Sequence, residues 1–204
     1  MKKIAVALLA GAAVLGAQAA AAPKTKVPPE PQTVAQVCSQ CHGDRGISTS
    51  PIFPNLAAQN KQYLVRELHN FRDRKRDDPH AQAYMWGMAN RLTDDVINKV
   101  ATYFSSLPPP PPDLNQDPKE IAAGKEIFEK GIASEQVPAC QLCHGPTGAG
   151  SATIPRLAGQ HREYLATQLL AFRDNERQNM IMHGNVAHMT DQQVRDIAAY
   201  LSSM

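Results

Sequence analysis

The sequence predicts an all-α protein of two tandem domains, and three observations predict it. The pentapeptide Cys38-Ser39-Gln40-Cys41-His42 returns as Cys140-Gln141-Leu142-Cys143-His144, and these two copies hold all 4 cysteines of the 204-residue chain. Around them the halves align as an internal repeat. Cys38, Cys41, His42 and Gly46 map onto Cys140, Cys143, His144 and Gly148 at an offset of 102. Pro54, Leu56, Gln59, Tyr63, Leu64, Leu68, Phe71 and Arg72 map onto Pro155, Leu157, Gln160, Tyr164, Leu165, Leu169, Phe172 and Arg173 at 101. Met85, Thr93, Asp94, Tyr103 and Ser105 map onto Met182, Thr190, Asp191, Tyr200 and Ser202 at 97. The third observation is periodicity: apolar residues recur at helical spacing in both halves, and no stretch sustains the alternation of a strand.

Cys-x-x-Cys-His is the attachment signature of c-type haem. Cysteines three apart on a helical turn lie on one face, where both thiols can bond vinyl groups on one edge of the macrocycle. The adjoining histidine then lies under the ring as a ligand to iron. The expectation is two covalently attached haem c groups, on Cys38 and Cys41 and on Cys140 and Cys143, with His42 and His144 as iron ligands. Competing readings stand beside it. A four-cysteine zinc site needs the two pairs to converge and gives no reason for a histidine after each. Thioredoxin-like redox pairs expect a strand-helix-strand context, which is absent. Disulfides between cysteines three apart on a helix have poor geometry. Each half has under 100 residues, too few for a generous apolar core. A buried haem supplies the missing volume, so each half is expected to fold around its own cofactor.

In chain order, residues 1–22 read as a cleavable signal peptide: Lys2 and Lys3, an apolar run from Ile4 to Leu15, then small residues ending in Ala19–Ala22. The apolar run is too short to span a bilayer. Its removal takes away two lysines and no acid, leaving 19 basic against 19 acidic residues. That balance offers no polybasic surface for nucleic acid. Residues 23–31 form an extended, proline-rich lead-in, and 32–107 the first domain. Its middle helix carries Leu64, Leu68 and Phe71 on one face. Its last helix starts at Thr93, with Asp94 and Asp95 in the first turn and Val96, Ile97, Val100 and Phe104 inward. Residues 108–116 form a linker opened by Pro108–Pro112, a stiff polyproline spacer. The second domain, 117–204, opens on Asp117 as N-cap with Pro118 at the first helical position. On that helix Gly124 and Phe128 share a face, where the glycine admits another helix. Leu165, Leu169 and Phe172 repeat the middle stripe. Thr190 to Gln193 form a capping box, followed by Val194, Ile197, Ala198 and Leu201 on the buried face.

The second axial ligand decides between electron transfer and chemistry at iron. It should occur in both halves, in a loop between the middle and last helices. Met85 and Met182 do, each eight residues before the threonine that starts the last helix. Met88 is matched by Asn185, and Met180 and Met189 by Ala83 and Leu92. The alternative is that both methionines only fill core volume. His183, beside Met182, is a rival ligand, and His69, His80, His161 and His188 lack histidine counterparts. Pro54 and Pro155 follow their histidines by 12 and 11 residues. Their carbonyls either accept a hydrogen bond from the imidazole N–H or merely lie in loops that the prolines shape.

From about Gln32 to the C-terminus the chain resembles the di-haem cytochrome c4 family. The segments that carry the resemblance are Cys38–Gly43, Phe53–Gln59, Pro155–Gln160, Asn179–Met182 and both Leu/Met-Thr-Asp helix starts. The resemblance implies two class I cytochrome c domains related by a pseudo-two-fold axis, with haem propionates near their interface. It implies ligation of iron by His42 with Met85 and by His144 with Met182, and His-orienting carbonyls on Pro54 and Pro155. The first domain departs from the pattern. It lacks the Gly-x-x-x-aromatic first helix, and its methionine segment, with Trp86, has an approach four residues longer.

Six-coordinate irons leave no open site for substrate, which points to one-electron transfer at exposed haem edges and no small-molecule substrate. By family analogy the expected role is a periplasmic shuttle between redox partner proteins, from a quinol-oxidising complex to a terminal oxidase. The expected protein is soluble or associated with a membrane surface. Two rivals remain: a haem enzyme, such as a di-haem peroxidase with one open iron, and an electron-entry subunit of a larger complex. The symmetry of the repeat speaks against the first.

Overall fold

The computed structural model describes residues 31–204. The expected signal peptide, and all of the lead-in except Pro31, lie outside the described residues. The first half comprises α1 (Pro31–His42), α2 (Lys61–Arg72), a π-helical turn (Ala81–Met85), α3 (Trp86–Ala89) and α4 (Asp94–Ser105). The second comprises α5 (Pro118–Lys130), a 3-10 turn (Ala133–Glu135), α6 (Gln141–His144), α7 (Arg162–Arg173), α8 (Met180–Val186) and α9 (Asp191–Ser202). Among the described residues the only β contacts are two isolated bridges, Ile132 with Val137 and Ser151 with Ile154. The all-α expectation holds.

The long helices form where their caps and apolar stripes lie. Thr93 accepts from the Val96 N–H, Thr190 and Gln193 complete the reciprocal capping box, and Asp117 caps α5 with Pro118 at its start. α4 buries Val96, Ile97, Val100 and Phe104, and α9 buries Val194, Ile197, Ala198 and Leu201. In the first half α1 and α2 pack on α4; in the second, α5 and α7 pack on α9. The middle helix is tied to the start of the last by the same contact in each half. Arg72 reaches Asp94 at 2.7 Å, and Arg173 reaches Asp191 at 2.6 Å.

The halves differ at their first helix. In the second, Gly124 lies directly against the backbone of Asp196 and the β-carbon of Tyr200, and Phe128 is fully buried beneath Tyr200, ring centroids 5.5 Å apart. The first half does have a first helix, although the glycine-aromatic signature is missing. In α1, Val34 and Ala35 are the buried apolar residues, and the helix runs without interruption into Cys38, Cys41 and His42. In the second half α5 ends at Gly131, whose φ of 71° is left-handed. The chain then makes the Ile132–Val137 bridge before α6 starts the histidine turn.

The proline linker is a strap, not a spacer. Pro110 is buried against Gly159, a glycine with φ 72° at which a β-carbon would crowd the proline. The Asp113 N–H donates to the Ser202 carbonyl at 2.8 Å. Polyproline stiffness here lays the chain along the second half, and the two halves meet directly.

Gly124→Ala tests the helix approach in the second half. Alanine favours a helix by about 1 kcal/mol, whereas a methyl forced against Asp196 backbone costs about 1–3 kcal/mol. The expected net effect is a loss of roughly 1 kcal/mol, read as a lower urea midpoint at unchanged m-value.

Candidate haem sites and the surface between them

In each half a helix ends in the histidine, and a loop returns beneath it. His42 and His144 are both 7% exposed. His42 Nδ1 lies 2.8 Å from the Pro54 carbonyl and His144 Nδ1 3.0 Å from the Pro155 carbonyl. As the carbonyl is acceptor only, Nδ1 carries the proton and Nε2 is the free lone pair. Burial pushes both histidines below the usual imidazole range, against the opposing pull of the proline carbonyls. Each is therefore neutral at pH 7, the form that binds a metal. Cys38 and Cys140 are partly buried, while Cys41 and Cys143 are exposed. Burial raises the Cys38 thiol and takes Cys140 to about 11, so neither is a thiolate at neutral pH. Among the described residues no three His, Cys, Asp or Glu side chains gather as a metal site, and the two cysteine pairs do not converge on one ion. Two thiols three residues apart followed by an imidazole held through Nδ1 form a donor set that fits a thioether-linked haem in each half.

The methionine segments are short helical turns rather than the expected loops, because an Asx side chain caps each. Asp78 Oδ1 accepts from the Ala81 N–H at 3.3 Å, and Asn179 Oδ1 from the Met182 N–H at 3.0 Å. Met85 closes the π-helical turn and packs against the Phe71–Ala81–Ala89 cluster; π turns are frequent at functional sites. Met182 is partly buried against the second core. Met88 and Met180 are exposed, and Met189 is buried within the core. His183 is turned toward α7, its Nδ1 2.9 Å from the Phe172 carbonyl. In the first half Phe53 stands between His42 and Tyr84, with ring centroids 6.1 and 5.3 Å away. Ile154 occupies the matching place in the second half.

Between the halves lies a polar surface with its own two-fold pattern. The Gln160 carboxamide accepts from the Asn55 N–H at 2.8 Å and donates to the Asn55 carbonyl at 2.9 Å. The Gln59 carboxamide makes the same pair with Arg156, at 2.8 and 3.0 Å. Asn60 donates to the carbonyls of Ala149 and Ile154 at 3.1 and 2.7 Å. Beside these contacts is a buried charge cluster. Arg177 donates to Glu67 at 2.7 Å, to Tyr63 at 3.1 Å and to Gln168 at 2.7 Å. Arg76 donates to Glu67 at 2.9 Å, to Asp78 at 2.8 Å and to Gln168 at 2.7 Å. Burial disfavours the Glu67 charge, but Arg177 and Arg76 outweigh it and hold the carboxyl below its usual range. Asp78 is likewise lowered against its own burial, chiefly by Arg76.

The sequence reading paired Gln59 with Gln160 and Tyr63 with Tyr164, yet gave them no role, and it passed over Arg76, Arg177, Glu67 and Gln168. The signal was available. Polar residues recurring at the 101 offset on and around the middle helix, Gln59 with Gln160, Tyr63 with Tyr164 and Arg76 with Arg177, mark a buried polar surface shared by the halves.

The chain matches the family model for cytochrome c over residues 30–108 and again over 121–204. Cytochrome c-552 of Acidithiobacillus ferridurans is 38% identical over 192 residues, which are 94% of this chain and 84% of that protein. Cytochrome c4 of Pseudomonas aeruginosa is 35% identical over 182 residues, 85% of this chain and 86% of that protein. A thiosulfate dehydrogenase electron acceptor of Thiomonas intermedia is 34% identical over 199 residues, 94% and 88% of the two chains. The solved structure of Acidithiobacillus ferrooxidans cytochrome c4 superposes with a TM-score of 0.79 at 38% identity, over 83% of this chain and 99% of that one.

A carboxyl whose pKa is lowered by folding contributes stability above its unfolded value, near 4.3, and loses it as pH falls toward the folded value. The Glu67 contribution to unfolding free energy is expected to be level from pH 7 to about 5 and to fall below that. Glu67→Gln leaves Arg177 without a carboxylate at hydrogen-bond distance. It should cost roughly 3 kcal/mol at neutral pH and flatten the acid limb, both read from denaturant titrations at stepped pH.

Proposed function

Since the chain belongs to the cytochrome c family and is built as its two-domain c4 members are, we propose that it is an exported electron carrier with His42–Met85 and His144–Met182 as its axial ligand pairs. Two haem c groups are attached, through Cys38 and Cys41 and through Cys140 and Cys143, and the protein is a di-haem electron-transfer cytochrome. The haem supplies the one-electron couple; the chain sets its ligation and excludes water. The observation that carries the ligand assignment is the repeated histidine geometry: burial, an Nδ1 held by a proline carbonyl, and an Nε2 left as the sole coordinating atom. In this reading Pro54 and Pro155 orient the imidazoles and strengthen their donation. The repeated, partly buried methionines on Asx-capped turns complete the pairs. The residues fold as two domains, about 31–107 and 117–204, with 108–116 strapped between them.

Residues 1–22 direct export, and the carrier works in the periplasm. One-electron exchange runs through a haem edge of each domain, between a quinol-oxidising complex and a terminal oxidase. A second donor class is favoured by the relatives that are electron acceptors of a thiosulfate dehydrogenase: a dehydrogenase that passes its electrons to the carrier. Mixing the oxidised protein with each class of donor and timing haem reduction separates them.

Optical spectra of the oxidised and reduced protein test the ligands. Two six-coordinate His/Met haems give a weak far-red sulfur-to-iron band when oxidised and bind no carbon monoxide when reduced. Met85→Ala and Met182→Ala should each remove about half of that band and open one haem to carbon monoxide. Rapid carbon monoxide binding by the unaltered protein, with the band at half strength or absent, overturns the carrier reading in favour of an open iron.

A further inference from the structure

The carbonyl of Pro54 and the N–H of Asn55 belong to one peptide group. That group accepts from His42 on one side, at 2.8 Å, and donates across the interface to Gln160 on the other, at 2.8 Å. The Pro155–Arg156 peptide does the same between His144, at 3.0 Å, and Gln59, at 2.8 Å. An amide whose N–H is donated to a good acceptor becomes a better acceptor at its oxygen, because resonance moves charge along the plane. We propose that Gln59 and Gln160 are positioning residues that act crosswise: each fixes and polarises the peptide that holds the proximal histidine of the opposite domain. The inference rests on His42 and His144 being iron ligands.

The consequence has a sign. With the glutamine in place the proline carbonyl pulls harder on Nδ1–H, the imidazole donates more to iron, and the oxidised state is favoured. Both side chains are held in this role. The Nε2 of each closes a second bond to the same residue's carbonyl, and Oε1 also accepts from the N–H of the next residue, Asn60 or His161. Both glutamines are buried, 6% and 7% exposed, so water does not substitute for them.

The test is a pair of substitutions in the haem-loaded full chain, with the two haems resolved by potentiometric titration followed by NMR. Gln160→Leu should shift the first domain's haem to a more positive potential and move the His42 Nδ1–H resonance, leaving the second haem in place. Gln59→Leu should do the reverse. Asn60→Ala, which breaks other interdomain bonds, should leave both potentials where they were. Equal shifts of both haems, or a shift of the haem in the substituted domain, overturn the crosswise relay and leave the ligand assignment intact. If the leucine variants do not fold, the unaltered reduced protein decides. Through-hydrogen-bond coupling from the Asn55 nitrogen to the Gln160 carboxamide carbon supports the relay, and its absence overturns it. Failure of the ligand assignment itself is recognised separately, by carbon monoxide binding to the unaltered protein.

Discussion

Two carboxamides set the relation between the halves. Gln59 and Gln160 each imitate a strand neighbour, giving and taking one hydrogen bond with the backbone of the residue after a proline. Backbone groups in a buried interface must be paired, and there is no sheet here to pair them. The side chain of the opposite half takes that place. Because the same proline loops carry the carbonyls under His42 and His144, the surface that joins the domains also holds the two histidines. Interface and cofactor sites therefore share one set of loops.

This sharing explains features that otherwise look unrelated. Ala58 has φ 54° and donates to the Phe104 carbonyl, as Gly159 donates to that of Leu201. A left-handed residue before each glutamine turns the loop so that it docks on the last helix and presents its carboxamide outward. The linker prolines then pack on the second of these turns through Pro110. A flexible tether in this position would leave Gly159 without its neighbour and let the loop relax.

The all-α class, both last helices with their caps, the helix approach at Gly124 and the histidine turns were legible in the sequence, because local chemistry determines each of them. A capping box or a glycine-aromatic pair is readable within one helical turn. The interface was legible only as polar residues recurring at the 101 offset and not as contacts, because its partners lie about a hundred residues apart and each half offers ordinary polar side chains. Nothing local distinguishes Gln160, which grips a backbone, from an exposed glutamine. The helical form of the methionine segments was missed for a different reason. Asp78 caps a helical stretch that opens at Pro79 and passes through the π turn, and Asn179 caps a helix of seven residues; in neither does a clean helical periodicity show. The first helix of the first half was missed because Val34 and Ala35 do by small volume what Gly124 and Phe128 do by close approach.

Where the repeat breaks, the buried charges still balance. Arg76 and Arg177 are copies of one another, and so are Tyr63 and Tyr164, but Glu67 faces Gln168 and Asp78 is matched by Asn179. Two arginines packed together out of water need two carboxylates, since an uncompensated buried charge costs several kcal/mol (about 3–5). Acids in both copies would leave the cluster with a surplus of two negative charges, and amides in both a surplus of two positive ones. Taking both acids from the first half neutralises the pair. Electroneutrality alone would also be met by one acid in each copy; this chain meets it with both acids in the first, Glu67 and Asp78, opposite the amides Gln168 and Asn179. The asymmetry also leaves its carboxylates on the first domain, so the two histidine sites, alike in their hydrogen bonds, sit in unequal fields.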